Sequence, residues 1–263
     1  MYPFNYLRPA DVAAAVQACT GESRYLAGGQ SLVQSMKLRL ASAENLVDLG
    51  GIAALRGITV DAAGVTIGAM TTHAEVAASA AVRQAIPALA ALAGGIGDAQ
   101  VRALGTIGGS VANADPAADY PAALLGLGAT VRTSKRTIAA DAFFKGLYET
   151  ALEPGELVTA VQFSRAAKAA YVKFKQPASR FALVGVFVAQ GSAGVRVAVT
   201  GAKASAYREP ALEAALARSF TPAAAQGVKL AAEGMNADLH GSAEYRAAMV
   251  SVMAARAVAA ANG

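Results

Sequence analysis

Two glycine-rich stretches have the residue types and the spacing needed to hold phosphate groups. The first runs from Ala27 to Leu32 and the second from Thr106 to Pro116. Adjacent glycines let a backbone approach a ligand closely, and consecutive backbone amides with nearby hydroxyls form a nest of donors for an anion. Because the same chemistry occurs twice, separated by a domain-sized stretch, we expect both stretches to hold one ligand with two phosphates.

Other nucleotide, metal and hydrolase motifs are missing from the sequence. There is no P-loop and no G-x-G-x-x-G fingerprint, which argues against a P-loop or Rossmann site. With two histidines and one cysteine, we predict neither a metal site nor a hydrolase triad. Cys19 alone cannot hold an iron–sulfur cluster. If the chain is redox active, its electron carrier must be organic and any clusters must lie in other chains.

Composition indicates a globular protein without nucleic-acid or membrane chemistry. The 263 residues are 55% hydrophobic and 16% charged, with a net charge of +5. Lysines and arginines are scattered and tryptophan is absent, so an acidic cofactor or acidic partner subunits fit better than nucleic acid. Neither a signal peptide nor an apolar run long enough to span a bilayer is evident, and we expect a cytoplasmic location.

Local patterns predict the elements that position the two stretches. A short strand from Arg24 to Ala27 leads into the first stretch, and a helix follows it. Thr72 with Glu75 three residues later predicts a capping box that opens another helix. Pro87 divides an alanine-rich helical segment. An apolar helix from Tyr120 to Leu127 follows the second stretch.

The last third of the chain changes character. Strands are predicted over 157–163, 171–175, 181–190 and 194–202, and a helix over 242–260. Strands followed by helices are typical of an α+β fold. We place a domain boundary between residues 166 and 167.

Together these motifs resemble the FAD-binding medium subunit of the molybdenum hydroxylases, the family of aerobic carbon monoxide dehydrogenase and the xanthine dehydrogenase flavoprotein. The resemblance covers nearly the whole chain, in the same order. It rests on these motifs: Ala27–Leu32, Met36–Arg39, Ile67–His73, Thr106–Pro116, Phe143–Gly146, Leu152–Leu157 and Tyr171–Lys175. It implies a PCMH-type (vanillyl-alcohol-oxidase-like) FAD-binding domain over 1–166, with lobes of about 1–54 and 55–166. A carbon monoxide dehydrogenase flavoprotein-like C-terminal domain would span 167–263.

The resemblance also implies FAD as the cofactor. One side of its pyrophosphate would lie on the amides of the first stretch and the other on the second stretch, with Asp115 bonding a ribose or adenine edge. Gln30 departs from the family, where histidine or threonine is frequent, and this affects only its side chain. The expected contacts are Ala27, Gly28, Gly29, Gln30, Ser31, Leu32, Thr72, Thr106, Ile107, Gly108, Gly109, Ser110, Asn113, Asp115 and Lys175.

Three side chains have alternative interpretations. Lys175 matches a family lysine near the flavin ring, where its charge would stabilise reduced flavin; a solvated lysine on an edge strand has equal weight. For Phe181 we favour a core position over shielding of the ring. For His73 we favour a positional role over acid–base catalysis, and we predict no catalytic residue.

The resemblance therefore predicts an electron-transfer flavoprotein subunit. Electrons from a molybdopterin-binding large subunit would pass through [2Fe-2S] clusters of a small subunit to FAD here, and then to an acceptor. One alternative is a self-contained FAD-dependent reductase or oxidase, for which the sequence offers no convincing general acid. The other is a non-catalytic nucleotide-binding scaffold. The substrate and the terminal acceptor stay open.

Overall fold

The computed structural model describes all residues from Met1 to Gly263. The chain forms a three-stranded, a five-stranded and a four-stranded sheet, a two-stranded hairpin and eleven α-helices. Its buried apolar side chains fall into three clusters, one for each of the larger sheets. Mixed helices and sheets of this kind confirm the α+β prediction.

The first sheet is parallel, in the order β1-β3-β2, and it ends at the first glycine stretch. Asp11 caps its first helix by accepting a hydrogen bond from the Ala14 amide at 2.8 Å. Its apolar cluster is small and includes Val47 and Ile52. The elements are β1 (Asn5–Leu7), α1 (Val12–Ala18), β2 (Arg24–Leu26), α2 (Leu32–Lys37) and β3 (Asn45–Asp48).

The second sheet is antiparallel, in the order β4-β5-β10-β6-β7, and its helices carry the second glycine stretch. Helix α8 is buried along its whole length, as its apolar sequence requires. The elements of this part of the chain, in which β8 and β9 form the separate hairpin, are β4 (Ile58–Asp61), β5 (Gly64–Gly68), α3 (His73–Ala78), α4 (Ala80–Ala85), α5 (Pro87–Gly94), α6 (Ala99–Leu104), α7 (Ile107–Asn113), α8 (Tyr120–Gly126), β6 (Thr130–Thr133), β7 (Thr137–Ala139), β8 (Phe144–Gly146), β9 (Glu149–Thr150) and β10 (Val158–Phe163).

The third sheet is an antiparallel meander covered on both faces. Helix α11 packs on it, and on the other side Gly126 of α8 comes so close to Phe187 that a Cβ there would lie 2.5 Å from the ring. Double coverage explains the continuous apolar run of β12. The elements are β11 (Lys168–Lys175), β12 (Ala182–Gly191), β13 (Gly194–Thr200), β14 (Tyr207–Arg208), α9 (Pro210–Arg218), α10 (Pro222–Gln226) and α11 (Ala243–Ala261).

Most predicted elements are confirmed within one to three residues at each end. The capping box is complete, because the Glu75 amide donates to the Thr72 hydroxyl and the Glu75 carboxylate accepts from the Thr72 amide. Pro87 separates α4 from α5 as predicted. The sequence did not predict seven elements of two to six residues, which carry little periodicity: β1, β4, β7, β8, β9, β14 and α6.

A buried ion pair joins the third sheet to the start of α8, just after the second glycine stretch. The Lys173 ammonium lies 2.8 Å from the Asp119 carboxylate, both side chains are less than a tenth exposed, and the Tyr171 hydroxyl donates to the same carboxylate. Burial raises the pKa of Asp119, while the charge and hydrogen bond of Lys173 oppose the rise. Beside it, the Thr200 hydroxyl contacts the carbonyl oxygens of Pro116 and Ala118 at 2.8 and 2.7 Å. The end of the second stretch is thus held by the C-terminal sheet.

Replacing Lys173 by methionine should leave the Asp119 carboxylate buried without a counter-ion. We expect the free energy of unfolding to fall by about 3–5 kcal/mol, measured by urea denaturation. Lys168→Met is the matched control on the same strand, because Lys168 is exposed and contacts only Asn262; it should change stability by less than about 1 kcal/mol. Equal stabilities of the two variants would contradict the role given to the pair.

Candidate cofactor-binding site

The two glycine stretches lie against each other where the first and second sheets meet. A Cβ atom at Gly28 would lie 2.1 Å from the carbonyl oxygen of Leu104 and 2.7 Å from the Cα atom of Gly105. From the other side, a Cβ atom at Gly109 would lie 3.3 Å from the Cβ atom of Ala27. The structure thus brings together two stretches that are about 75 residues apart, and only glycine fits at position 28.

The first stretch presents amides that no other part of the chain uses. The backbone N–H groups of Gly28, Gly29, Gln30 and Ser31 donate to no atom of the protein. Gly29 has a φ of +70°, a conformation that favours glycine. Residues 28–30 are half-buried and Ser31 is exposed. Four consecutive backbone donors without partners in the chain form the kind of site that binds an anion.

The second stretch differs from the sequence prediction. It forms helix α7, whose first-turn amides are all paired, rather than an open cluster of free donors. Thr106 caps the helix by accepting from the Gly109 amide at 3.2 Å, and its carbonyl oxygen accepts from the Ser110 amide at 3.0 Å. The amides of Ile107 and Gly108 donate to the carbonyl oxygens of Thr71 and Ala69. A capped helix that is docked through backbone bonds has no such amide left for a ligand.

The two glycines of α7 therefore have different structural roles. Gly108 is buried, and a Cβ atom there would lie 2.5 Å from the Cβ atom of Ala69. Gly109 is half-buried and faces the first stretch. Gly108 lets the helix dock on the end of β5, while Gly109 lets α7 approach Ala27 closely.

The remaining polar residues around α7 differ in what they still offer a ligand. Neither the Ser110 hydroxyl nor the side-chain amide of Asn113 has a hydrogen-bond partner in the chain, and both residues are half-buried. The Thr72 hydroxyl is engaged with Glu75. Asp115 accepts from the Ala117 amide at 2.8 Å and from the Tyr148 hydroxyl at 3.2 Å. Sequence analysis missed Tyr148, because a tyrosine between two short strands carries no recognisable signal.

Lys175 lies apart from the glycine stretches, and Phe181 lies beside the end of the second stretch. Lys175 is exposed at the end of β11 and lines a cleft with residues of the α5–α6 connection; no residue of either stretch lines that cleft. Phe181 was predicted as core, and this is wrong, because 48% of its surface is exposed. It precedes the buried part of β12, which begins at Ala182, and lines a second cleft with Pro116 and Ala117.

His73 lies behind the contact between the stretches. Its amide donates to the Gly105 carbonyl oxygen at 2.9 Å, and a Cβ atom at Gly105 would come 2.6 Å from its Nε2 atom. The ring packs on Tyr120 with centroids 5.4 Å apart, and neither Nδ1 nor the Tyr120 hydroxyl has a partner in the chain. Burial, followed by the charge of Arg102, lowers the pKa of His73 to about 4. The ring is neutral near pH 7, which fits a positional role.

Comparison with known protein families gives one extensive match. The model described as "FAD binding domain in molybdopterin dehydrogenase" matches residues 2–165. This range contains both glycine stretches and His73, and it ends between β10 and β11.

Individual relatives agree with this match. The chain is 44% identical over 166 residues to the carbon monoxide dehydrogenase medium chain of Afipia carboxidovorans, covering 60% of this chain and 58% of that one. It is 37% identical to the glyceraldehyde dehydrogenase medium chain of Sulfolobus acidocaldarius, covering 72% and 71%. The fold matches a chain of reconstituted CO dehydrogenase from Oligotropha carboxidovorans with a TM-score of 0.88 at 34% identity, covering 99% and 98%.

Substituting Gly28 by alanine should force the two stretches apart. The added methyl group would meet main-chain atoms of Leu104 and Gly105, which cannot rotate away as a side chain can. We expect a loss of about 1–3 kcal/mol of unfolding free energy in urea. Gly227→Ala is the control, because Gly227 is exposed, has a φ of −70° and has no atom within 3.4 Å of the new Cβ. Unchanged stability of Gly28→Ala would mean that the lobes are not in contact here.

His73 should make stability depend on pH. Its pKa falls from an ordinary 6.5 to about 4 on folding, so the unfolded chain binds the proton more tightly. Its stabilising contribution is fully present above pH 6.5 and declines by about 3 kcal/mol as the pH falls to 4. His73→Gln should flatten the fall in unfolding free energy between those pH values. An equally steep fall in the unfolding free energy of the variant would show that other titrating groups cause it.

Proposed function

The chain belongs to the family of FAD-binding domains in molybdopterin dehydrogenases, and from this premise we propose that its FAD takes electrons from iron–sulfur clusters of a partner and delivers them to a terminal acceptor. It is the FAD-binding subunit of a multi-subunit oxidoreductase of the molybdenum hydroxylase type. When bound, FAD can accept electrons and release them one or two at a time.

The four partner-free amides from Gly28 to Ser31 carry the proposal for the pyrophosphate. They are consecutive, accessible and opposite Gly109, and a phosphate oxygen would supply the acceptors that the chain does not. Ala27 and Leu32 border them. The pyrophosphate is therefore assigned mainly to the first stretch.

The second stretch contributes shape and side chains in this proposal. Gly109 lets the cofactor pass close to α7, and the free Ser110 hydroxyl and Asn113 amide can bond its phosphate or ribose. Asp115, oriented by Tyr148, would accept from a ribose hydroxyl or an adenine edge. Thr72, Thr106, Ile107 and Gly108 support this surface from behind through their hydrogen bonds and packing. Lys175 is proposed to approach the flavin ring, and its location away from the glycine stretches suits the opposite end of FAD.

The partners follow from the family and from what the chain does not contain. No group of three or more histidine, cysteine, aspartate and glutamate residues is positioned to hold a metal ion, so clusters and molybdenum require other chains. We propose a small subunit with [2Fe-2S] clusters and a large molybdopterin-binding subunit. The relatives' names refer to carbon monoxide and glyceraldehyde, two unlike substrates, which agrees with oxidation on another subunit.

Nothing favours a self-contained reductase or oxidase. The one buried histidine has a pKa of about 4, and its Nδ1 atom has no hydrogen-bond partner in the chain. None of the helices is long and apolar enough to cross a membrane. The domain limits and the cytoplasmic location stay predictions.

The visible spectrum of the purified chain tests the cofactor proposal, with the chromophore identified after acid release. We expect about one FAD per chain. Gly109→Leu should lose it, because the side chain would collide with Ala27 and push the first stretch away from α7. Ala217→Leu is the control, since Ala217 is exposed on α9. Stoichiometric FAD in folded Gly109→Leu would refute the site assignment. Electron transfer from the partner subunits is tested separately, by measuring flavin reduction after substrate is added to the assembled complex.

A further inference from the structure

Five large hydrophobic side chains beside the first sheet are exposed. Three are aromatic and lie at alternate positions before and within β1, namely Tyr2, Phe4 and Tyr6. The other two, Leu38 and Leu40, follow α2 and are 71% and 80% exposed. The Arg39 guanidinium lies over the Tyr2 ring, 5.6 Å from its centroid, and connects the two groups into one surface, here called the first-sheet patch. Exposed apolar clusters mark interaction surfaces, whose centres are enriched in tyrosine, phenylalanine and arginine.

The turn after α2 holds its last leucine outward through backbone hydrogen bonds. The Leu40 amide donates to the Ser35 carbonyl oxygen at 2.9 Å, and the Arg39 amide donates to that of Met36 at 3.1 Å. These two bonds form a Schellman motif, in which the apolar side chain after the turn commonly packs back on the helix. Leu40 stays exposed instead, while Met36 is buried and anchors the helix. The turn therefore presents Leu40 to another molecule at a defined position.

Arg39 occupies the position that glycine most often takes in this turn. Its φ is +59°, a conformation that costs free energy for a residue with a side chain. Its guanidinium group forms no salt bridge, and neither does the exposed ammonium group of Lys37. A charged side chain thus stands where glycine would fold more easily, which favours a role for Arg39 in contact with another molecule.

Position and charge favour an iron–sulfur subunit as the occupant of the patch. Helix α2 begins at Leu32, directly after the first glycine stretch. Its six residues span about 9 Å, so a partner on the patch would lie one short helix away from the amides assigned to the FAD pyrophosphate. Iron–sulfur clusters are held by cysteine thiolates, which give the cluster sites negative charge. The unpaired cations of Lys37 and Arg39 complement that charge.

We propose that the first-sheet patch docks the small [2Fe-2S] subunit of the complex. This rests on the proposed function, which assigns such a partner to the chain. Tyr2, Leu38 and Leu40 are buried at the centre of the interface, where removal of apolar surface from water stabilises the complex. Lys37 and Arg39 lie at the edge and meet acidic groups of the partner, which speeds association.

Titration of the FAD-loaded chain with the purified small subunit tests the proposal. We expect Leu40→Glu to bind the small subunit at least tenfold more weakly, because a carboxylate would enter the apolar centre of the interface. FAD content should be unchanged, since Leu40 lies outside the glycine stretches. Leu239→Glu is the matched control, because Leu239 is also exposed and lies between α10 and α11; it should bind like the parent chain.

A second variant, Arg39→Gly, separates docking from folding. Glycine adopts a positive φ readily, so this variant should melt at the same temperature as the parent chain or at a higher one. We nevertheless expect weaker binding of the small subunit, with an association rate that depends less on salt concentration because an edge charge is gone.

Four outcomes would overturn the proposal. They are no binding of the small subunit by the parent chain, unchanged binding by both patch variants, weakened binding of the large subunit alone, and weakened self-association of the chain alone. The last two would assign the patch to a different occupant. The proposed function fails separately, if the parent chain holds no FAD or if the flavin of the assembled complex is not reduced by substrate. Patch-dependent binding of the small subunit would still support the docking surface in that case.

Discussion

The site depends on main-chain contact between two lobes at Gly28. The backbone at residue 28 lies on the backbone of Leu104 and Gly105, with no room for a side chain between them. Gly105 is in turn held from behind by the ring and amide of His73. Because a contact between backbones has little freedom to adjust, it holds the free amides of the first stretch at a constant position relative to α7. The two glycine stretches therefore form one surface that is assembled by the fold itself.

The two glycine pairs look alike in sequence and differ in chemistry. After β2 the chain runs from Gly28 to Ser31 outside any helix or strand, and no acceptor of the chain pairs these four amides. At Thr106 the chain enters a capped helix, and two of its amides donate to the carbonyl oxygens of Thr71 and Ala69. The amides of its first turn are therefore already hydrogen-bonded. One stretch therefore supplies donors, and the other supplies close approach and the side chains of Ser110 and Asn113.

The C-terminal sheet orders the far side of the site. Asp119, buried with Lys173 and Tyr171, connects β11 to the start of α8, and Thr200 secures the preceding loop. The same sheet projects Lys175 and Arg180 toward the α5–α6 connection. The third sheet thereby contacts both the end of the second glycine stretch and the cleft that Lys175 lines, and no residue of either glycine stretch lines that cleft.

The sequence by itself determined the features that depend on interactions between residues close together in the chain. The Thr72–Glu75 capping box, the break at Pro87, the apolar strands and the α+β order follow from interactions a few residues apart, and the glycine pairs already indicated an anion site. Only the tertiary structure decided which amides remain free, because their partners, such as Ala69 for Gly108, are distant in sequence. The tertiary structure also leaves the Phe181 side chain exposed, and it brings the side chains of Arg102 and Arg180 to the carbonyl oxygen of Gly97. Burial and long-range pairing depend on how the sheets pack, and no local pattern encodes that packing.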